Sequence, residues 1–202
     1  MKYKALTLTL AACVTASAAP IQWTVASGGN GNWYEHVPAI SIFSPIPSFA
    51  AAEAAATASS FMGMPGYLAT ITSAEENAFI RSSFTFLIFF GGVGNVFLGG
   101  SDEAEEGVFR WTGGPEKGQK LSYTNWFPGH PVASGTYIRM GIFPGSPSDG
   151  NWDVIPPSGG SGGYIIEYGS GVSGASPVPE PATAAGVALA LTALGLWRRR
   201  PV

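Results

Sequence analysis

The sequence predicts an α+β domain: an irregular β core with long surface loops, accompanied by two helices. Three observations predict it. Short aromatic runs are closed by glycine turns, as in Val96-Phe97-Leu98-Gly99-Gly100 and Gly163-Tyr164-Ile165-Ile166-Glu167-Tyr168, which is the pattern of short strands. Two other stretches carry helix signals instead. The composition is rich in punctuation, with 28 glycines and 16 prolines against only 11% charged residues. Aromatic residues make up 12% of the chain, which sets it apart from disordered sequences.

In order, Gly28-Gly29-Asn30-Gly31-Asn32 is turn-rich, and Trp33-Tyr34-Glu35-His36-Val37 alternates as a first strand. Pro38, Pro45 and Pro47 interrupt the next stretch. From Phe49 to Phe61 the chain is alanine-rich, and alanine is the strongest helix former. Ser48 supplies an N-cap, and Phe49, Ala52 and Ala56 share one face. Gly66 to Ile71 reads as a short strand. Thr72 or Ser73 then caps a second helix, and Ser73-Ala74-Glu75-Glu76 fits a capping box, in which the carboxylate three residues after the cap reaches back to it. Phe84 to Phe90 reads as a helix end or an extra strand.

Four acidic residues, Asp102, Glu103, Glu105 and Glu106, occupy the loop after Gly100. Val108 to Trp111 is a strand, with Thr112-Gly113-Gly114-Pro115 as its turn. Phe127 to Val132 is a proline-fixed loop; Tyr137 to Phe143 and Asn151 to Val154 return to the core. Gly163 to Tyr168 is the last strand.

Both ends differ from this middle. Lys2 and Lys4 precede an apolar run and Ala16-Ser17-Ala18, so residues 1–18 are expected to be a secretory signal peptide. Leu10-Ala11-Ala12-Cys13 also resembles a lipobox, which would place a lipid on Cys13. The domain is expected over 19–169 and a Gly/Ser linker over 170–177. Residues 178–202 contain Pro179-Glu180-Pro181, an apolar helix over 182–197 and Arg198-Arg199-Arg200. At about 1.5 Å per residue that helix spans about 24 Å, short of a ~30 Å hydrocarbon core, although arginines snorkel and Trp197 suits the interface. The expectation is a membrane anchor through the C-terminal helix, arginines on the cytoplasmic side and the domain facing outward.

Charge and cysteine usage narrow the function. Between residues 19 and 176 there are 5 basic and 12 acidic residues, a net charge of −7. Nucleic-acid binding needs a basic patch, so no nucleic-acid partner is expected. The single cysteine, Cys13, lies in the signal region, leaving the domain without disulfides or thiol metal ligands. With two histidines and no Ser/His/Asp motif, the chain is not expected to be an enzyme. The loop carboxylates at 102–106 read as a solvated face rather than a glycosidase pair.

The C-terminal order Pro-Glu-Pro, apolar helix, arginine cluster resembles the PEP-CTERM sorting signal of Gram-negative bacteria. That resemblance implies an exosortase-type membrane protease as a partner, which would remove the anchor. A plain single-pass anchor is the alternative.

The domain resembles the C-type lectin-like domain over about residues 30 to 168. The resemblance rests on Asn32-Trp33-Tyr34-Glu35, the alanine-rich helix, Gly66 to Ile80, Phe97 to Trp111, Tyr123-Thr124-Asn125-Trp126, Asn151-Trp152-Asp153 and Gly163 to Tyr168 in that order. It implies two helices flanking a twisted antiparallel sheet, a long loop region beside it, and pairing of the first and last strands. Sugar-binding members hold calcium with a Glu-Pro-Asn or Gln-Pro-Asp triplet and a Trp-Asn-Asp triplet. Here the first aligns with His130-Pro131-Val132 and the second with Trp152-Asp153-Val154, so one carboxylate of four expected oxygen groups is kept. Calcium takes ~6–8 oxygens, which imidazole and valine do not supply. A second family position, a structural calcium between the second helix and the last strand, matches Glu76 and Glu167; the alternative is that Glu76 caps its helix and Glu167 is solvated.

These readings converge on an exported, membrane-anchored and surface-displayed lectin-like module for a glycan or extracellular polysaccharide. Trp126, His130, Asp149, Asn151 and Asp153 are its candidate ligand-binding residues. No cofactor is required, and calcium at Glu76 and Glu167 is the candidate metal. The alternative is a structural or adhesive biofilm component without sugar binding.

Overall fold

The computed structural model describes residues 19–39, 47–84 and 94–169, all within the unit Met1–Gly171. The signal peptide, most of the Phe84–Phe90 run, the linker and the anchor with its sorting motif lie outside the described residues. Among the described residues, no helix is long and apolar enough to cross a membrane.

The order is β1 (Ile21–Gln22), a 3-10 turn at Val25–Ser27, β2 (Trp33–Pro38), α1 (Phe49–Ala58), β3 (Ser60–Phe61), β4 (Met64–Leu68), α2 (Ala74–Phe84), β5 (Asn95–Ser101), β6 (Arg110–Trp111), β7 (Tyr137–Gly141), β8 (Trp152–Ile155) and β9 (Gly163–Tyr168). The strands run β1-β2-β9-β5-β7-β8 across the sheet. The expected pairing of first and last strands is present: β2 and β9 run antiparallel from Trp33 opposite Tyr168 to Pro38 opposite Gly163. β9 is the hub. Its far edge is shared by β4, opposite Ile166 to Tyr168, and by β5, opposite Tyr164.

That sharing corrects the expectation of an all-antiparallel sheet. β5 meets β9 in parallel at Phe97 and Tyr164, so the sheet is mixed. Periodicity along one strand carries no information about the direction of its neighbour, which is why the crossover was not visible in sequence.

α1 begins as expected: the Ser48 hydroxyl accepts from the Ala51 N–H, and Phe49, Ala52 and Ala56 are buried. It stops at Ala58, three residues before the end of the alanine-rich run. Ser59 is extended and its hydroxyl donates to the Ala56 carbonyl, drawing that carbonyl away from further helix. Ser60 and Phe61 instead pair with β4 around Met62 and Gly63, both at positive φ (50° and 80°). That is the two-residue geometry matching strand twist, and Gly63 suits it. The strand expected at Gly66–Ile71 accordingly starts two residues earlier and ends at Leu68.

The core forms two apolar clusters. One joins Tyr34, Ile71, Ile80, Leu98, Trp111, Ile138 and Trp152; the other seats α1 through Phe49 and Ala52 on Phe97, Tyr137 and Ile166. Phe49 stacks on Tyr137 with ring centroids 4.1 Å apart.

Candidate functional site

Two places answer to the candidate residues. The first is a buried acidic cluster where α2 meets the middle of the sheet. Glu76 and Glu167 are both buried, 1% and 2% exposed. Glu76 arrives there as part of its helix cap. The Ser73 hydroxyl accepts from the Glu76 N–H, and Glu76 Oε2 accepts from the Thr72 N–H at 2.7 Å and the Thr72 hydroxyl at 3.0 Å. The capping box therefore closes one residue upstream of the cap itself. Glu167 reaches the cluster from β9, so it is not solvated.

Tyr34 joins the two. Its hydroxyl donates to Glu76 Oε1 at 2.5 Å and lies 3.3 Å from Glu167 Oε1. The Asn30 amide donates to Glu76 Oε1 at 3.2 Å and the Asn32 amide to Glu167 Oε1 at 2.7 Å. Glu167 Oε2 accepts from the Thr70 N–H at 3.0 Å, and the Thr70 hydroxyl lies between it and Glu116. Burial raises both carboxyls above the usual range. For Glu167 the charge of Glu76 adds to burial, while the Thr70 N–H and the Asn32 amide oppose it. For Glu76, the Thr72 N–H and the Tyr34 hydroxyl oppose it. The Tyr34 phenol is pushed up by burial and then by the two carboxylates.

This is a pair of buried acids ringed by neutral donors. Its carboxylate oxygens are hard, of the kind that calcium takes, but the groups around them present N–H as well as O–H. Among the described residues, no three His, Cys, Asp or Glu side chains are grouped to hold an ion. To hold calcium, Glu76 and Glu167 would have to exchange these hydrogen-bond donors for amide, hydroxyl or carbonyl oxygens completing the shell. Sequence reasoning named the two glutamates and offered Thr72 as a helix cap, and missed Tyr34, Asn30, Asn32 and Thr70. Those residues lie in turns and strand ends, most of them far from their partner in chain order, and no local pattern announces them.

The second place is the long loop. Asp149 is clamped by Arg81 of α2, whose Nε and Nη2 donate at 2.8 and 2.5 Å. Arg81 holds the Asp149 carboxyl below the usual range. Asp153 is held in the same two-pronged way by Arg139, at 3.0 and 2.6 Å. Arg139 and Asp153 are register partners on β7 and β8. His130 accepts the Val154 N–H on Nδ1 at 3.3 Å, and the His130–Pro131 bond is cis. The Asn151 amide donates to the Pro147 carbonyl at 3.4 Å. Trp126 is half-buried, packed against Phe109 and edge-on to Trp152. No hydrogen bond joins any two of these five candidates among the described residues; each is committed to a different neighbour.

The loop is pinned from beneath by α2. Asn77 donates to the Gly150 carbonyl at 3.0 Å and accepts the Trp152 indole N–H at 2.8 Å. Asn125 donates to the same carbonyl at 2.7 Å. Asn77, unremarkable in sequence, is thus the link between helix and loop.

No family model matches the chain. Among curated proteins, halomucin of Haloquadratum walsbyi is 29% identical over 198 residues, which cover 86% of this chain and 2% of halomucin. Perlucin of Haliotis laevigata is 38% identical over 72 residues, 36% of this chain and 42% of perlucin. The chain therefore spans well under two thirds of either relative. Among solved structures, the C-type lectin CEL-I from Cucumaria echinata superposes with a TM-score of 0.53 at 19% identity, over 70% of this chain and 91% of CEL-I. Human lithostathine gives 0.53 at 16% identity, over 83% of this chain and 97% of that one. The C-type carbohydrate-recognition domain of cow CD23 gives 0.50 at 20% identity, over 67% and 86%. The fold is the C-type lectin-like fold, with two helices and a mixed sheet.

Proposed function

We propose that this C-type lectin-like domain is an exported, surface-displayed binding module for carbohydrate or extracellular polymer. The observation that carries the reading is the fold itself, shared over 91% of a C-type lectin. Loops on such a rigid scaffold are where ligand residues sit. The arginine clamps on Asp149 and Asp153 argue that binding does not run through a calcium ion in the long loop, because both carboxylates already have cationic partners. Trp126, His130 and Asn151 remain the loop's contact candidates. Residues 1–18 direct export, and Pro179-Glu180-Pro181 with Arg198-Arg199-Arg200 direct exosortase-type sorting from the membrane. Intact mass of the protein recovered from its native surface tests both cleavages.

The deciding experiment is a glycan array probed with the purified chain in millimolar calcium and again in chelator. Equal retention of a specific glycan in both conditions is the expected outcome. Retention only in calcium would overturn the calcium-independent reading. Melting temperature in the same buffers tests the acidic cluster: a ligand bound only by the native state raises it. A rise with calcium that disappears in Glu167→Gln would assign the ion to Glu76 and Glu167.

A second reading is a structural or adhesive matrix component without sugar binding. It is favoured by the same commitment of the loop side chains to internal bonds, and an empty array in both buffers would select it.

A further inference from the structure

The outer face of α1 borders a groove that none of the candidate residues touches. Its opposite wall is the turn Thr112–Pro115 with Lys117, and Tyr67 and Leu68 form its base. It encloses about 890 Å³. A second hollow of about 580 Å³, based on Phe49, Trp111 and Tyr137, adjoins it, and Ala50, Glu53, Thr112 and Lys117 line both. Cavities of roughly 300 to 1,000 Å³ accommodate drug-sized ligands, so the two together admit more than one sugar ring.

The chemistry at the junction is specific. Glu53 and Lys117 line the same space from opposite walls, and neither forms an ion pair among the described residues. The Thr112 hydroxyl oxygen is buried without a hydrogen-bond partner, while Tyr67 turns its hydroxyl toward Glu167 and the buried acids. Buried polar groups are ordinarily satisfied, so such a group lining a hollow marks where a polar ligand is expected. Around them the walls are Ala50, Ala54, Gly113 and Pro115. These small groups let a flat ring approach closely.

We infer that this groove between α1 and the 112–117 turn is a carbohydrate-binding site for an uncharged polysaccharide chain. The inference rests on the lectin-like reading and names a place for the ligand outside the long loop. Sugar hydroxyls both donate and accept. They donate to the Glu53 carboxylate and accept from the Lys117 ammonium. The C–H faces of the rings lie on alanine and glycine. Glu53 balances Lys117 at the junction, as Glu103 balances Arg110 in the second hollow, and a neutral lining favours an uncharged polymer over an anionic one.

The test uses the full chain with three probes: neutral hexasaccharides of glucose and of mannose, and an alginate hexasaccharide as the anionic comparison. Affinities are measured by titration calorimetry for the parent chain and for Glu53→Gln, Lys117→Met and Ala54→Trp. Val25→Ser, on the exposed 3-10 turn, serves as the unaffected control. The expected result is binding of a neutral hexasaccharide that weakens at least tenfold in each groove variant at unchanged melting temperature. If Ala54→Trp alters the fold, the two polar variants still decide. Neutral-sugar binding that stays within twofold in all groove variants, or that is lost instead in Asn151→Ala, overturns the groove and leaves the lectin-like reading standing. Failure of every neutral sugar, or binding of alginate alone, overturns the groove; complete failure of all three together with an empty array overturns the lectin-like reading as well.

Discussion

His36 is the most exacting single residue in the structure. It is buried on β2, 6.0 Å from the Phe84 ring, and neither ring nitrogen has a hydrogen-bond partner among the described residues. Burial lowers its pKa from 6.5 to about 4. The folded state therefore keeps the neutral ring, while the unfolded chain takes up a proton below about pH 6.5. The stabilisation is complete above that pH and is lost as the pH falls towards 4, by about 3 kcal/mol in total. Urea unfolding at pH 7 and pH 5 should show this acid slope, and His36→Leu should flatten it. An unchanged slope in the variant would assign acid sensitivity elsewhere. The two arginine clamps make a graded pair. Arg139 and Asp153 are largely shielded, whereas Arg81 is about half exposed. Asp153→Ala should cost about 1–3 kcal/mol, because Arg139 then keeps a shielded charge without its partner, and Asp149→Ala should cost less, about 1 kcal/mol or below. Denaturant midpoints of the two variants test the ordering.

Among the elements, β5 depends on its glycines. A Cβ on Gly99 would lie 2.5 Å from the Leu68 carbonyl oxygen, and one on Gly100 would meet Ile138. The obstacle at Gly99 is backbone, so Gly99→Ala should destabilise by about 1–3 kcal/mol or more. Ser48→Ala should cost α1 about 1 kcal/mol, and Asn77→Ala about 1–3 kcal/mol, because the Trp152 indole N–H is left unpaired in the core. Chemical denaturation of the three variants reads these magnitudes, and an Asn77 effect below the Ser48 effect would contradict the assigned link between helix and loop. The elements whose causes are local were legible in sequence: the Ser48 cap, the Ser73 cap, and the short aromatic strand β9. The end of α1 was not, because alanine content favours continuation and the Met62–Gly63 hairpin prevails only once β4 has β9 to pair with. The parallel meeting of β5 and β9 was likewise a property of the assembled sheet. At the site, Glu76 and Glu167 were legible through family position. Arg81 and Arg139 were not, since each finds its carboxylate across 68 and 14 residues of chain.

For the whole molecule, the acidic cluster and the groove make separable predictions. A change of melting temperature with calcium concerns Glu76 and Glu167 at the centre of the sheet, while glycan affinity concerns Glu53 and Lys117 at its flank. Chelator should therefore leave the affinity of a neutral hexasaccharide within about twofold, a difference of about 0.4 kcal/mol, and a larger loss would couple the two places. The pairing of β2 with β9 also has a mechanical meaning. Trp33 opposes Tyr168 on one side and Gln22 on the other, so the first and last strands of the described residues meet at one end of the sheet with β2 between them. Tension between those two ends would pull the strands apart one hydrogen-bonded pair at a time, like a zipper. Tension between a polymer held in the groove and the C-terminal side would load β9 along its length, against neighbours on both edges. Load carried by β9 alone would be shared by its neighbours, whereas stretching between both ends would open the sheet from its edge.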